Sequence, residues 1–160
     1  MNPMKSRKFV FSTAHTLRYR FPTHVNDLVM DRAEAEYSEV FVVVLEPGES
    51  PPPHVHHDTE QIFYVIDGSG VLEIGENADA HPVNPGDVVR IPPHTLHLIR
   101  CFGERPLRYL AVDCFVAGKP EEEPTWQSHV QAMCDRNGWD FESVLPKAQP
   151  PGQNVTEPRA

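Results

Sequence analysis

Apolar positions in this chain fall in short runs separated by proline and glycine, a pattern that predicts strands and not long helices. Ser38–Leu45, reading SEVFVVVL, is rich in β-branched residues and apolar on both faces, which predicts a strand covered on both sides. Shorter runs predict further strands at Lys8–Phe11, Asp27–Asp31, Gln61–Ile66, Gly70–Ile74, Asp87–Ile91, Thr95–Arg100 and Leu107–Phe115. A polar, basic segment (Arg18, Tyr19, Arg20) separates the first two. Pro-Gly, Asp-Gly and Pro-Pro turns set off most of the others. Strands this short and evenly spaced predict an all-β jelly roll or small barrel.

From Lys119 the character changes. Glu121, Glu122, Glu123 and Pro124 form an acidic linker, after which Thr125 can cap a helix. Trp126, Val130, Met133 and Cys134 recur at helical spacing, and Asn137-Gly138 is a natural stop. That stripe reads as a helix docking on a sheet. The expected organisation is an N-terminal extension with short strands (1–37), a barrel (38–116), a linker and helix (117–145) and a mobile tail (146–160). No internal repeat is visible.

The length, 160 residues, fits one domain. Its net charge of −9 and lack of a basic stretch argue against nucleic acid as a partner. The longest apolar run, Val40–Leu45, is far too short to span a bilayer, and no apolar secretory core follows the basic start. The expected location is therefore cytoplasmic, with no membrane partner. Cys101, Cys114 and Cys134 are odd in number and lack C-x-x-C spacing, so reduced, packed thiols are expected.

The chemistry concentrates in two blocks. In Gly48–Gly68, GESPPPHVHHDTEQIFYVIDG, His54 and His56 are two residues apart; on extended backbone both imidazoles face one way. Imidazole suits divalent transition metals. In Pro85–Cys101, PGDVVRIPPHTLHLIRC, His97 follows a tight turn, a strand and a second turn.

Together the blocks resemble the paired motifs of the cupin superfamily. The first motif runs from a glycine through five residues to H-x-H, then three or four residues, a glutamate, six residues and a glycine. The second runs from a glycine through five residues to P-x-G, then two residues, a histidine, three residues and an asparagine. Gly48, His54, His56 and Gly68 fit the first, and Gly86, Pro92 and His97 the second. The resemblance covers about Val40 to Phe115. It implies a cupin jelly-roll (double-stranded β-helix) barrel with a short C-terminal α-helix, and one divalent ion (Fe, Mn, Ni or Zn) held by His54, His56 and His97. It further implies a homodimer.

His94 stands where the second motif has glycine and Cys101 where it has asparagine. The motif's glutamate is the departure with chemical weight. Six residues before Gly68 lies Gln61; three residues after His56 lies Glu60. Strand parity allows only one inward. The count along the continuous strand favours Gln61, giving the expected ligand set His54, His56, Gln61 and His97. Some similar cupins, including those that isomerise unsaturated uronate sugars, use glutamine there. A neutral amide leaves the ion its full charge, favouring Lewis-acid chemistry on a small anionic, oxygen-rich molecule. Such a site also lacks the two-His-one-carboxylate triad of non-haem Fe(II) oxygenases.

The function expected is therefore that of a metal-dependent isomerase or lyase; a dioxygenase and a non-catalytic small-ligand binder are the alternatives. No catalytic residue is fixed: Glu60, Tyr64, Tyr109 and Asp113 are the titratable candidates. His57 and His94 should point away from the metal, and His15, His24, His81 and His129 should lie on the surface.

Overall fold

The computed structural model describes residues 8–147. Nine antiparallel strands form two sheets: β1 (Leu17–Arg20), β2 (Val25–Met30), β3 (Ser38–Leu45), β4 (Thr59–Asp67), β5 (Gly70–Ile74), β6 (Asp79–Val83), β7 (Val88–Ile91), β8 (His97–Cys101) and β9 (Leu107–Phe115). The larger sheet has the order β1-β2-β3-β9-β4-β7 and the smaller β6-β5-β8. Their apolar faces share one core containing Phe41, Val43, Phe63 and Tyr109 from the larger sheet and Leu72, Ile99 and Cys101 from the smaller. Among the described residues no continuous ladder joins the two sheets into a closed barrel. The expected barrel is a two-sheet jelly roll.

Three expectations at the N-terminal side are corrected. Lys8–Phe11 is irregular, and the basic segment Leu17–Arg20 is itself a strand. A tight turn closed by Phe21 N–H on His24 O folds it onto β2, which starts at Val25 and not at Asp27. Arg18 then lies opposite Asp27, and its guanidinium grips both carboxylate oxygens at 2.8 Å. Strand β6 has no predicted counterpart. It carries Pro82, exposes four of its five residues and lies at a sheet edge, so neither apolar alternation nor absence of proline marks it.

The C-terminal expectation holds. Helix α1 (Trp126–Asn137) begins in a capping box between Thr125 and Ser128 and ends at Gly138, whose φ of +68° closes the helix. Helix α2 (Phe141–Val144) follows directly. A 3₁₀ turn at Arg32–Glu34 clamps the linker before α1. Arg32 donates to Glu123 O at 3.0 Å, Lys119 Nζ donates to Arg32 O and Ala35 O, and Asp31 accepts from Trp126 N at 2.9 Å. Trp126 is fully buried, edge-on to Tyr19 and tilted against Phe41 with centroids 4.8 Å apart. The expected tail from 146 onward lies almost entirely outside the described residues.

Motif glycine Gly68 has φ +78°, and a Cβ there would lie 2.2 Å from Pro106 O, so the turn between β4 and β5 demands glycine. Cys101 and Cys134 are free and buried, Cys114 is half-buried, and burial pushes all three thiols up. No helix among the described residues is long and apolar enough to cross a membrane.

Candidate metal centre

His54 lies in the proline-rich segment before β4, and His97 opens β8. Their backbones exchange hydrogen bonds as an isolated antiparallel bridge, His54 N to His97 O at 3.2 Å and His97 N to His54 O at 3.1 Å. His56 is two residues along the same extended stretch. The imidazole centroids are 4.2 Å (His54–His97), 4.7 Å (His54–His56) and 5.5 Å (His56–His97) apart. One nitrogen from each ring lies within 4.8 Å of the other two, a grouping able to hold an ion.

The protonation pattern suits that role. His54 Nδ1 is 2.7 Å from Pro52 O, and His97 Nδ1 is 2.9 Å from Thr95 O. A carbonyl only accepts, so both rings carry hydrogen on Nδ1 and present a lone pair at Nε2. Burial depresses all three imidazoles, His56 to about 2 and His97 to about 4, which keeps them neutral and ready to ligate. His56 Nε2, His97 Nε2 and Gln61 Oε1 are buried without a hydrogen-bond partner in the protein. Buried polar atoms left unpaired are costly unless something satisfies them, and three grouped imidazoles with an amide oxygen on the same cavity fit a divalent ion.

Glu60 and Gln61 face opposite ways. Gln61 is buried and lines the cavity beside the histidines; Glu60 turns outward to Arg90 at 3.3 Å. The cross-strand row Glu39–Asp113–Gln61 runs directly over β3, β9 and β4. Gln61 Nε2 donates to Asp113 Oδ1 at 2.7 Å, which turns Oε1 away from Asp113. Asp113 stands directly opposite Glu39, whose two oxygens are held by Arg32 at 2.7 and 2.8 Å. Burial, then Glu39, pushes the Asp113 carboxyl well above its ordinary range.

The histidines and Gln61 open on a cavity of about 340 Å³ between the sheets and α1. Of the other titratable candidates, Tyr109 and Asp113 line it, while Tyr64 is exposed on the outer face. Burial pushes the Tyr109 hydroxyl up, so it stays protonated. His57 and His94 lie outside, their Nδ1 atoms 3.0 Å apart. His94 adopts φ +63°, the left-handed conformation that glycine supplies in the motif.

Two histidines expected on the surface belong to this cavity. His24 is 4 % exposed, stacks on Phe21 and is pushed down to about 3, mainly by burial. His129 projects from α1, its Nδ1 held 2.8 Å from Glu123 Oε2. With Met133 and Arg136 it forms a cavity-facing row at i, i+4 and i+7. That spacing is visible in the sequence, but only the packing of the neighbouring Trp126–Val130–Cys134 stripe says which way the row points.

The family model for the Cupin domain matches residues 41–113. The crystal structure of a protein called a predicted oxalate decarboxylase, from Thermotoga maritima, superposes with a TM-score of 0.61 and 22 % identity, covering 67 % of this chain and 99 % of that one. A double-stranded β-helix protein of Klebsiella pneumoniae gives 0.58 and 23 %, covering 71 % and 93 %. An uncharacterised protein of Methanocaldococcus jannaschii is 35 % identical over 57 residues, 36 % of this chain and 44 % of its own, so the match spans less than half of that relative. Residues 41–113 thus match the Cupin domain, and both motifs lie within that stretch.

Proposed function

We propose that this cupin holds one divalent ion through His54, His56, His97 and Gln61, and that it is an isomerase or lyase acting on a small, anionic, oxygen-rich molecule. The observation that carries this reading is the inward turn of Gln61, with its unpaired Oε1, in place of Glu60. A bound divalent ion supplies Lewis-acid polarisation of a chelating oxygen, undiminished here by any carboxylate ligand.

The chain's own residues complete the site. Pro52 O and Thr95 O fix the His54 and His97 rings, and Asp113 fixes the Gln61 amide. The apolar walls, among them Phe41, Val43, Ile99 and Trp139, exclude water and strengthen the attraction of an anion to the centre. Glu123 holds one nitrogen of His129 and leaves the other free to give or take a proton in the cavity. That imidazole favours a catalyst over a passive binder.

The test is assay of metal-loaded protein, with and without dioxygen, on a panel of 2-oxo and 2-hydroxy acids in deuterated water. NMR then reads isomerisation, elimination or carbon-bound deuterium. Turnover without oxygen supports the reading. Turnover that requires oxygen and consumes it stoichiometrically makes the protein a dioxygenase and overturns it.

A further inference from the structure

Building on that reading of the centre, we propose that Arg136 on α1 binds a second carboxylate of the ligand, so that the site selects dicarboxylates over monocarboxylates. Arg136 lines the same cavity as His54, His56 and His97 but approaches from the helix. It is solvent-exposed at the cavity rim, and among the described residues it has neither an ion-pair nor a hydrogen-bond partner. The other charged groups near this wall are already engaged. Glu123 is shared by His129 and Arg32, and Arg32 is gripped by Glu39.

Among the described residues no carboxylate lies within ion-pairing distance of the guanidinium. The lining holds five histidines (His24, His54, His56, His97, His129), Arg136 and one carboxyl, Asp113. Asp113 is tied to Gln61 at 2.7 Å and makes no ion pair with Arg136. In a chain of net charge −9, Arg136 brings an unpaired guanidinium to this pocket.

The metal centre and the guanidinium, two cationic poles on one cavity, define the ligand. Phe41, Val43, Ile99 and Met133 line the cavity that holds both poles and give it apolar wall. A short hydrocarbon body with an oxo-acid at one end and a carboxylate at the other matches that arrangement. The planar guanidinium fork suits the carboxylate better than an ammonium does.

Calorimetric titration with two probes of equal carbon count tests this: 2-oxoglutarate, and 2-oxopentanoate, which ends in a methyl group. Nickel-loaded and metal-free protein are both titrated, for wild type, R136Q and R136K. Wild type loaded with metal should bind 2-oxoglutarate about tenfold tighter or more, the value of one charge-assisted hydrogen-bonded pair. R136Q should lose that preference while its affinity for 2-oxopentanoate and its melting temperature stay unchanged, and R136K should restore only part of it. Equal affinities in wild type, or equal losses of both probes in R136Q, would overturn the role of Arg136. Affinities that do not depend on added nickel would overturn the metal reading separately, and failure of both probes to bind would overturn both.

Discussion

Gln61 on β4 and Asp113 on β9 stand directly opposite one another, and the amide nitrogen donates to the carboxyl at 2.7 Å. In this arrangement Oε1 is turned away from Asp113 and is buried without a hydrogen-bond partner, in the cavity that the histidines also line. Asp113 in turn is braced by Glu39 and Arg32, making the orientation a property of the sheet and not of one rotamer.

Gln61→Ala should therefore weaken metal binding about tenfold or more, the scale seen when groups that support a metal are removed. Glu60→Ala, which breaks only the contact with Arg90, should leave affinity unchanged. Competition against a chromogenic chelator measures both. A larger loss in Glu60→Ala would mean that the register of β4 read here is wrong.

How much of this was legible beforehand divides along physical lines. The three histidines were readable because H-x-H on extended backbone and the spacing to His97 follow from strand parity and turn residues. Gln61 against Glu60 needed the register of β4, which the run up to Gly68 supplied. The row His129–Met133–Arg136 is not legible as cavity lining, because a helix pattern shows which residues share a face but not which face meets a cavity. Strand β1 was missed for a related reason: Leu17–Arg20 is polar, and the hairpin with β2, not its own pattern, makes it a strand.

Acid should destabilise the metal-free protein well above the range where most carboxylates titrate. Buried His24 and His97 titrate at about 3 and 4 in the folded state against about 6.5 in the unfolded chain, and His54 and His56 are lowered too. Below about pH 6.5 the unfolded chain therefore binds protons that the folded one refuses, and stability falls until the folded values are reached. Asp113, raised in the folded state, works in the opposite sense, but it is one group against four. The net loss should be at least about 1.4 kcal/mol per pH unit between pH 6 and pH 5. Urea unfolding at those pH values checks it; equal midpoints would contradict it.

His94→Gly should stabilise the fold modestly. His94 sits at φ +63°, which costs an ordinary side chain about 1–2 kcal/mol, and its backbone N–H still bonds His56 O after substitution. Loss of the exposed contact with His57 and the greater freedom of glycine when unfolded offset part of this. A net gain of about 0.5 kcal/mol is expected from thermal or urea unfolding, with metal content unchanged. Destabilisation would show that the His57–His94 pair matters more than the backbone strain.

The most direct measurement is the metal content, by elemental analysis, of protein purified without chelator, for wild type and for His54→Ala, His56→Ala and His97→Ala. The account predicts about one divalent ion per wild-type chain and a sharp loss in each variant, because water cannot replace an imidazole ligand of equal strength. Stoichiometric metal retained in all three variants, or a wild type that takes up none when dialysed against divalent ions, would contradict it.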